Sequence, residues 1–334
     1  VKPSAFFFQQ EFAELHLELL HSVETRFACF VFGPDTSPDL DRLVPAGRSD
    51  VLPTLTGADP AYIVFTSGST GLPKGAVLTN GGQFGNALAT VAEMGLVPED
   101  YHLSVQPLYH VGEESILLAH FVRGAATYIM EAFDPERVCW TVREERITTA
   151  QLVPTMVSMV LDVPALKASW FESVHSIIYS AAPMPVSLLN RAMSTMGPKF
   201  LQMYGLTEAG PLVTVFSKSD HSPGPTVSRP PRIGYVPSSR LASCGLPALG
   251  VEVRLLSDTG SEAGCGELGE VVVRSDFLMS SYWGMSPEES GIHEGWLHTG
   301  DMATHDAAGY IYIVDRKKDM INSGGENVYP KEIE

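Results

Sequence analysis

Thr66-Ser67-Gly68-Ser69-Thr70-Gly71-Leu72-Pro73-Lys74-Gly75 is the stretch on which the reading of the fold turns. Its ten positions hold four hydroxyl side chains, three glycines and one lysine. Hydroxyls and backbone N–H groups can be aimed at phosphate oxygens, and glycines let the backbone come close and take positive φ. Lys74 adds a point charge suited to a β- or γ-phosphate. A flexible Ser/Gly linker has a similar composition, but linkers do not sit between buried-type strands. Here residues 61–65 form a short apolar run of β-formers, expected to be a buried strand, and Ala76, Val77 and Leu78 follow the loop. The stretch also departs from the common P-loop, because Lys74 precedes Gly75 instead of following a G-x-x-x-x-G run into Ser or Thr. It is a nucleotide loop of another kind, or none.

Outward from the loop, apolar runs alternate with helical segments as far as residue 204. Strands are expected at 101–105, 127–130, 148–153 and 176–179. Helices are expected after Asn80 as N-cap, from Asp134-Pro135-Glu136, at 154–161 and at 185–196. Such alternation implies a mostly parallel sheet flanked by helices. After Gly210 the texture changes: a proline-rich stretch leads to β-type runs at 251–256, 270–274 and 310–314, which predict a smaller antiparallel sheet or distorted barrel. The fold class is therefore α/β with a β-rich subdomain. The expected division is 1–210, the α/β region; 211–316, the β-rich subdomain; and 317–334, a C-terminal remainder.

The 334 residues are 44% hydrophobic and 18% charged, a globular composition. A net charge of −17 argues against a nucleic-acid-binding surface and against docking on an anionic membrane. Cys29, Cys139, Cys244 and Cys265 are scattered without metal spacing, so buried reduced thiols are expected rather than disulfides or zinc. No basic-then-apolar leader opens the chain and no run nears the ~20 apolar residues of a membrane span, which makes the cytoplasm the expected compartment. The start at Val1 and the end within a helix-like Lys331-Glu332-Ile333-Glu334 suggest that both ends are cut.

Residues 62–76 resemble the signature loop of the adenylate-forming superfamily, which includes acyl-CoA synthetases, peptide-synthetase adenylation domains and beetle luciferases. The resemblance runs in order through at least four more motifs, from about Asp59 to the C-terminus. It implies that Thr66, Ser67, Gly68, Ser69, Thr70, Gly71 and Lys74 close over the β- and γ-phosphates of ATP. Tyr204-Gly205-Leu206-Thr207-Glu208 resembles the adenine and magnesium motif, implying Tyr204 and Gly205 against the base, Thr207 on the α-phosphate, and Glu208 with Thr66 as Mg²⁺ ligands. Taken alone it is a strand end with a capping threonine. Ala181, Ala182 and Pro183 resemble the other side of the adenine slot, a segment of low specificity. Asp301, after Trp296-Leu297-His298-Thr299-Gly300, resembles the aspartate that accepts from both ribose hydroxyls; an ordinary turn Asp is the bland alternative. Arg316 is implied to reach the ribose, and Lys318 to lie at the hinge. Gly324 and Gly325 resemble the loop beside the pantetheine tunnel of CoA ligases.

His110, in Pro107-Leu108-Tyr109-His110, resembles an aromatic or histidine residue near the substrate carboxylate, although a lone His is more often structural. Amino-acid-activating domains carry an aspartate near here, and this chain has none. Glu113 and Glu114 depart from the apolar residues a long acyl chain would favour. The resemblance thus implies an AMP-forming acid–CoA ligase of fatty acid metabolism: a hydrophobic, fatty acid attacks ATP at the α-phosphorus, then CoA displaces AMP. Lys74, Thr207, Glu208 and His110 are its implied catalytic residues. The pocket is expected near His110, Val111, residues 180–182, Gly205 and residues 209–210. The family's small C-terminal domain, with its lysine, would lie beyond the chain, so the chain as it stands is expected to bind nucleotide without turnover. Two alternatives stay open: a carrier-loading adenylation domain for an aryl or amino acid, and a non-catalytic AMP/ATP binder.

Overall fold

The computed structural model describes residues 5–9, 28–32, 54–66, 72–221, 238–317, 321–323 and 326–328. The chain divides into two compact units, Val1–Leu55 and Thr56–Glu334. In the first, β1 (Ala5–Gln9) and β2 (Ala28–Phe32) pair in parallel with Ala5 opposite Ala28.

The second unit begins with β3 (Pro60–Thr66), β4 (Lys74–Thr79) and α1 (Asn80–Met94). Then come β5 (Tyr101–Ser104), α2 (Val111–Arg123), β6 (Ala126–Ile129) and α3 (Pro135–Glu144). They are followed by β7 (Thr149–Gln151), α4 (Pro154–Leu161), β8 (Ser176–Tyr179), α5 (Val186–Met196) and β9 (Phe200–Tyr204). Short strands β10 (Thr214–Phe216) and β11 (Leu246–Pro247) lead to β12 (Val251–Leu256), β13 (Gly269–Ser275) and β14 (Ser281–Tyr282). The last are β15 (Ile292–His293), β16 (Trp296–His305), β17 (Ile311–Arg316), β18 (Ile321–Ser323) and β19 (Glu326–Val328).

The central sheet runs β11-β10-β9-β8-β7-β5-β6. Its members from β6 to β9 are parallel, and β10 and β11 add to the edge antiparallel. Side chains alternate across it as strand geometry requires. Ile178 and Leu201 face a core shared with Ala87, Met94, Ile116 and Ala119 of α1 and α2. Ile177, Tyr179 and Phe200 face the opposite core, with Val138, Val142, Val157 and Leu189 of α3, α4 and α5. The β-rich part is an antiparallel sheet β12-β13-β16-β15 with β17 on β16, and β18 and β19 form a hairpin.

Three sequence expectations are corrected. The run 61–65 is a half-exposed strand, with Phe65 62% exposed, because β3 lies at the edge of a three-stranded sheet β14-β4-β3 and is not part of the parallel stack. Burial falls instead on β4, where Ala76 and Leu78 are fully covered. The N-cap of α1 is Thr79, not Asn80: leaving β4 at φ −95°, ψ 157°, its Oγ1 accepts from the Gly82 N–H at 3.1 Å. Among the cysteines, Cys139 and Cys244 are buried but Cys265 is exposed. Asp134 does cap α3, accepting from the Arg137 N–H at 2.7 Å, with Pro135 in the first turn.

Two buried imidazoles give the fold an acid limit. Burial brings His120 and His221 each down to about 4 from 6.5. His221 is held by Tyr179 Oη at 2.9 Å and the Ser217 carbonyl at 2.8 Å. Folded-state values lie below the unfolded ones, so the unfolded chain takes up protons first as pH falls. Stability is full above pH 6.5, drops through the window from 6.5 to 4, and is no longer changed by these groups below it. Urea midpoints measured from pH 7.5 to 4 are expected to start falling near pH 6.5, above the carboxylate range; a midpoint flat down to pH 5 would contradict this.

Candidate active site

A cavity of about 880 Å³ opens between the C-terminal ends of the parallel strands, the β3–β4 hairpin and the antiparallel sheet. Its wall includes Thr66 and Lys74 from the hairpin, His110 before α2, Ala181 after β8, Tyr204 at the end of β9 with Gly205 through Glu208 after it, and Arg316 at the end of β17. Placing a site at the carboxyl edge of such a sheet follows from topology, since the connections diverge there.

One end is built around Glu208. Its Oε1 accepts from Thr66 Oγ1 at 3.2 Å and from Tyr282 Oη at 2.7 Å. Antiparallel pairing sets Lys74 opposite Thr66, and Lys74 Nζ lies 5.0 Å from the centre of the Tyr282 ring. Burial first, then the hydrogen bond and charge of Glu208, hold the Tyr282 phenol well above its ordinary range. The aromatic face thus steadies the ammonium without neutralising it. Glu208 and Thr66 are hard oxygen donors. Among the described residues no group of three or more His, Cys, Asp or Glu could hold a metal. The pair suits Mg²⁺, which keeps several waters and is commonly completed by substrate phosphates.

The other end is built around Asp301, which is 6% exposed. Pairing of β16 with β17 sets it opposite Arg316, whose Nε is 3.2 Å from Oδ1. Tyr204 Oη donates to Oδ2 at 2.6 Å. Burial, and secondly the Asp301 charge, push the Tyr204 phenol up strongly. Asp301 stands just behind the wall, while its neighbours Thr299 and Gly300 line it. Nearby, Glu270 accepts from Lys317 Nζ at 3.0 Å and lies 3.4 Å from His298 Nδ1. Burial works to raise its carboxyl, but the Lys317 hydrogen bond and the Lys317 and His298 charges bring it below the usual value.

Between the ends, Gly205 is indispensable for packing: a Cβ there would sit 1.6 Å from the Pro211 carbonyl oxygen. Ala181 takes a left-handed backbone, φ +68°, rarely adopted by a non-glycine residue and common at functional sites. His110 N-caps α2, its Nδ1 accepting from the Gly112 N–H at 3.2 Å, which puts the neutral ring's proton on Nε2. Val111, Gly112, Ser115, Ile116, Met203 and Leu212 form the adjoining wall.

The structure therefore brings together Thr66, Lys74, His110, Ala181, Tyr204, Gly205, Thr207, Glu208 and Arg316 on one wall, with Asp301 directly behind. Ala182 and Pro183 are exposed and are not among the described lining residues, because the turn at Ala181 carries the chain outward. Residues 209–210 are also not in the described wall, since Ala209 is fully buried in the core. The sites expected at Ser67, Gly68, Ser69, Thr70, Gly71, Lys318, Gly324 and Gly325 lie outside the described residues. Tyr282 and Glu270 were not anticipated. Each sits in a β run with no motif around it, and only the sheet pairings bring it to the cavity.

Comparison with known proteins gives the arrangement its context. A family model described as "AMP-binding enzyme" matches residues 8–283. The chain is 35% identical over 303 residues to a feruloyl-CoA synthase of an Amycolatopsis species, covering 90% of this chain and 55% of that protein. It is 33% identical over 340 residues to the medium/long-chain-fatty-acid–CoA ligase FadD8 of Mycobacterium tuberculosis, covering 97% and 55%. Among solved structures, O-succinylbenzoate coenzyme A synthetase (MenE) of Bacillus subtilis in complex with ATP and magnesium superposes with a TM-score of 0.80 at 25% identity, covering 99% of this chain and 63% of that one. The chain spans about half the length of the curated relatives it matches. By the extent of the family match and the identity of these relatives, the chain belongs to the AMP-binding enzyme family.

Proposed function

We propose that the protein activates a hydrophobic carboxylic acid with ATP as an acyl-adenylate, releasing pyrophosphate, and then passes the acyl group to the thiol of CoA. The observation that carries this reading is a single cavity with a carboxylate at each end. Asp301 is backed by Tyr204 and Arg316, and Glu208 by Thr66 and Tyr282. The first suits a ribose diol, and the second suits Mg²⁺ on a polyphosphate. Relatives named as CoA synthases and ligases, and a solved relative holding ATP and magnesium, support it.

In this reading the Tyr204 ring lies against the adenine, its hydroxyl fixed by Asp301, with Ala181 on the opposite side. Ala182 and Pro183 contribute through the turn they complete. Asp301 and Arg316 hold the ribose, and Thr207 donates to the α-phosphate. Glu208 and Thr66 bind Mg²⁺, which supplies charge neutralisation on the phosphates. Lys74 and the loop 67–71 take the β- and γ-phosphates. His110 offers its Nε2–H towards the acid, and the glycines at 324 and 325 border the path of CoA. Both reactants are anions, so positioning and charge stabilisation carry the rate. The same proposal assigns residues 1–210 to nucleotide and acyl binding, 211–316 to completion of the nucleotide site, and 317–334 to a hinge. It places the enzyme in the cytoplasm; among the described residues no helix is long and apolar enough to cross a membrane.

The acyl wall of Val111, Ile116, Met203 and Leu212 suits an apolar body, and the substrate class is left to a panel of fatty, aryl and amino acids assayed with the full-length protein. Pyrophosphate release with an apolar acid, and thioester only with CoA present, is expected. Release with an amino acid and no use of CoA, or silence across the panel, would contradict the reading. Tyr282→Phe keeps the ring beneath Lys74 but removes the bond to Glu208, worth about 1.5 kcal/mol for a charged acceptor. It is expected to lower kcat/KM for MgATP about tenfold. An unchanged value would remove Tyr282 from the site.

A further inference from the structure

Four side chains between α2 and the sheet are completely shielded from solvent: Glu113 and His120 of α2, and His102 and Thr149 of the strands beneath. His102 of β5 pairs in register with Thr149 of β7, so both project from the sheet face covered by α2. At about 100° per residue, Gly112, Ser115 and Ile116 turn one side of α2 to the cavity, whereas Glu113, Ile116 and His120 turn an adjacent side to the sheet. An apolar residue at 113 would fill this space at lower cost, because a buried carboxyl is expensive unless hydrogen-bonded.

The contacts fix the hydrogen-bond directions one after another. His120 Nδ1 is 2.8 Å from the Ile116 carbonyl, which only accepts, so Nδ1 carries the proton. Burial brings His120 down to about 4, so the ring is neutral and its Nε2 accepts. Thr149 Oγ1, 2.9 Å from that Nε2, must donate to it. With its only proton committed, Oγ1 accepts from His102 Nδ1 at 3.0 Å. His102 Nε2 then faces Glu113 Oε1 at 3.3 Å. A neutral His102 ring leaves Nε2 bare, and the carboxyl must supply the proton; a charged ring donates to a carboxylate. Either way the hydrogen bond holds one proton between the two groups, while Oε2 of Glu113 has no partner among the described residues.

We propose that Glu113 is a positioning residue for the acyl wall: through this one-proton bond to His102 it fixes the rotation of the first turn of α2 on the sheet, and so sets His110, Gly112 and Ser115 against the acid. The proposal rests on the acid-activating function inferred above. Glu113 lies three residues after the cap His110, and its N–H donates to the His110 carbonyl at 3.1 Å. Displacing Glu113 therefore displaces the cap. Tyr204, Asp301 and Arg316 belong to β9, β16 and β17 and do not depend on this turn.

The test uses the full-length protein, with KM and kcat measured separately for acid, ATP and CoA. Glu113→Gln keeps a donor for His102 Nε2 and is expected to hold the KM for acid within about twofold, while Glu113→Leu raises it about tenfold, the scale of a one-group mismatch in a pocket. The KM for ATP should stay within about twofold in both. Equal acid KM in wild type and Glu113→Leu, or parallel losses for acid and ATP in both variants, would overturn the proposal. Ring ¹⁵N shifts of wild-type protein give a readout that needs neither activity nor a folded variant. Both His102 and His120 are expected to carry a proton on Nδ1, and a bare Nδ1 on His102 would overturn the proposed bond. A wild type that releases no pyrophosphate would instead sink the functional reading, leaving the ring shifts to decide the proton placement.

Discussion

Tyr204 is the last residue of β9 in the parallel sheet, and Asp301 lies within β16 of the antiparallel sheet. The 2.6 Å hydrogen bond between them spans the seam where the two sheets meet, with Arg316 bracing the carboxylate from β17. Much else in the site follows from that link. Tyr204 presents a ring to the cavity with its hydroxyl held, and among the described residues the Asp301 carboxylate is contacted by Tyr204 Oη and Arg316 Nε. Burial makes the bond strong, since charged hydrogen bonds gain in a low dielectric.

Glu208 plays the matching part at the other end, joining the turn after β9 to β3 through Thr66 and to β14 through Tyr282. The strands that carry Thr66 and Lys74, a half-exposed outer one and a buried inner one, belong to a small sheet rather than to the central stack. This is the region expected to yield first in local opening, because few apolar contacts hold β3. The cavity is thus a junction of three sheets whose side chains meet across it. Its His110 side rests on α2, and α2 on the buried Glu113–His102–Thr149–His120 set.

How much of this was legible in the sequence differs by kind of feature. The parallel strands expected at 176–179 and 101–105 and the helix at 154–161 were readable, to within a residue, because apolar periodicity and local capping specify them. Asp134-Pro135 announced its helix through local chemistry alone. The strand at 61–65 was misread because a short apolar run does not reveal whether one face or two are covered; edge placement is a tertiary fact. Thr79 was missed as a cap since Asn80 beside it has the higher capping propensity, and the end of β4 decided against it. Of the site, the ordered motifs supplied Thr66, Lys74, Tyr204, Thr207, Glu208 and Arg316. Tyr282 and Glu270 come from register across strands far apart in the chain, and the His102–Glu113 pair from the packing of a helix on the strand eleven residues before it.

The central claim is that the cavity holds an adenylate with its ribose on Asp301. It is tested most directly by a crystal structure of the full-length protein with a hydrolysis-resistant acyl-adenylate analogue. The account predicts ribose hydroxyls about 2.7 Å from the Asp301 carboxylate, the adenine between Tyr204 and Ala181, and the acyl group beside His110 and Gly112. A ribose away from Asp301, or the analogue bound outside this cavity, would contradict it.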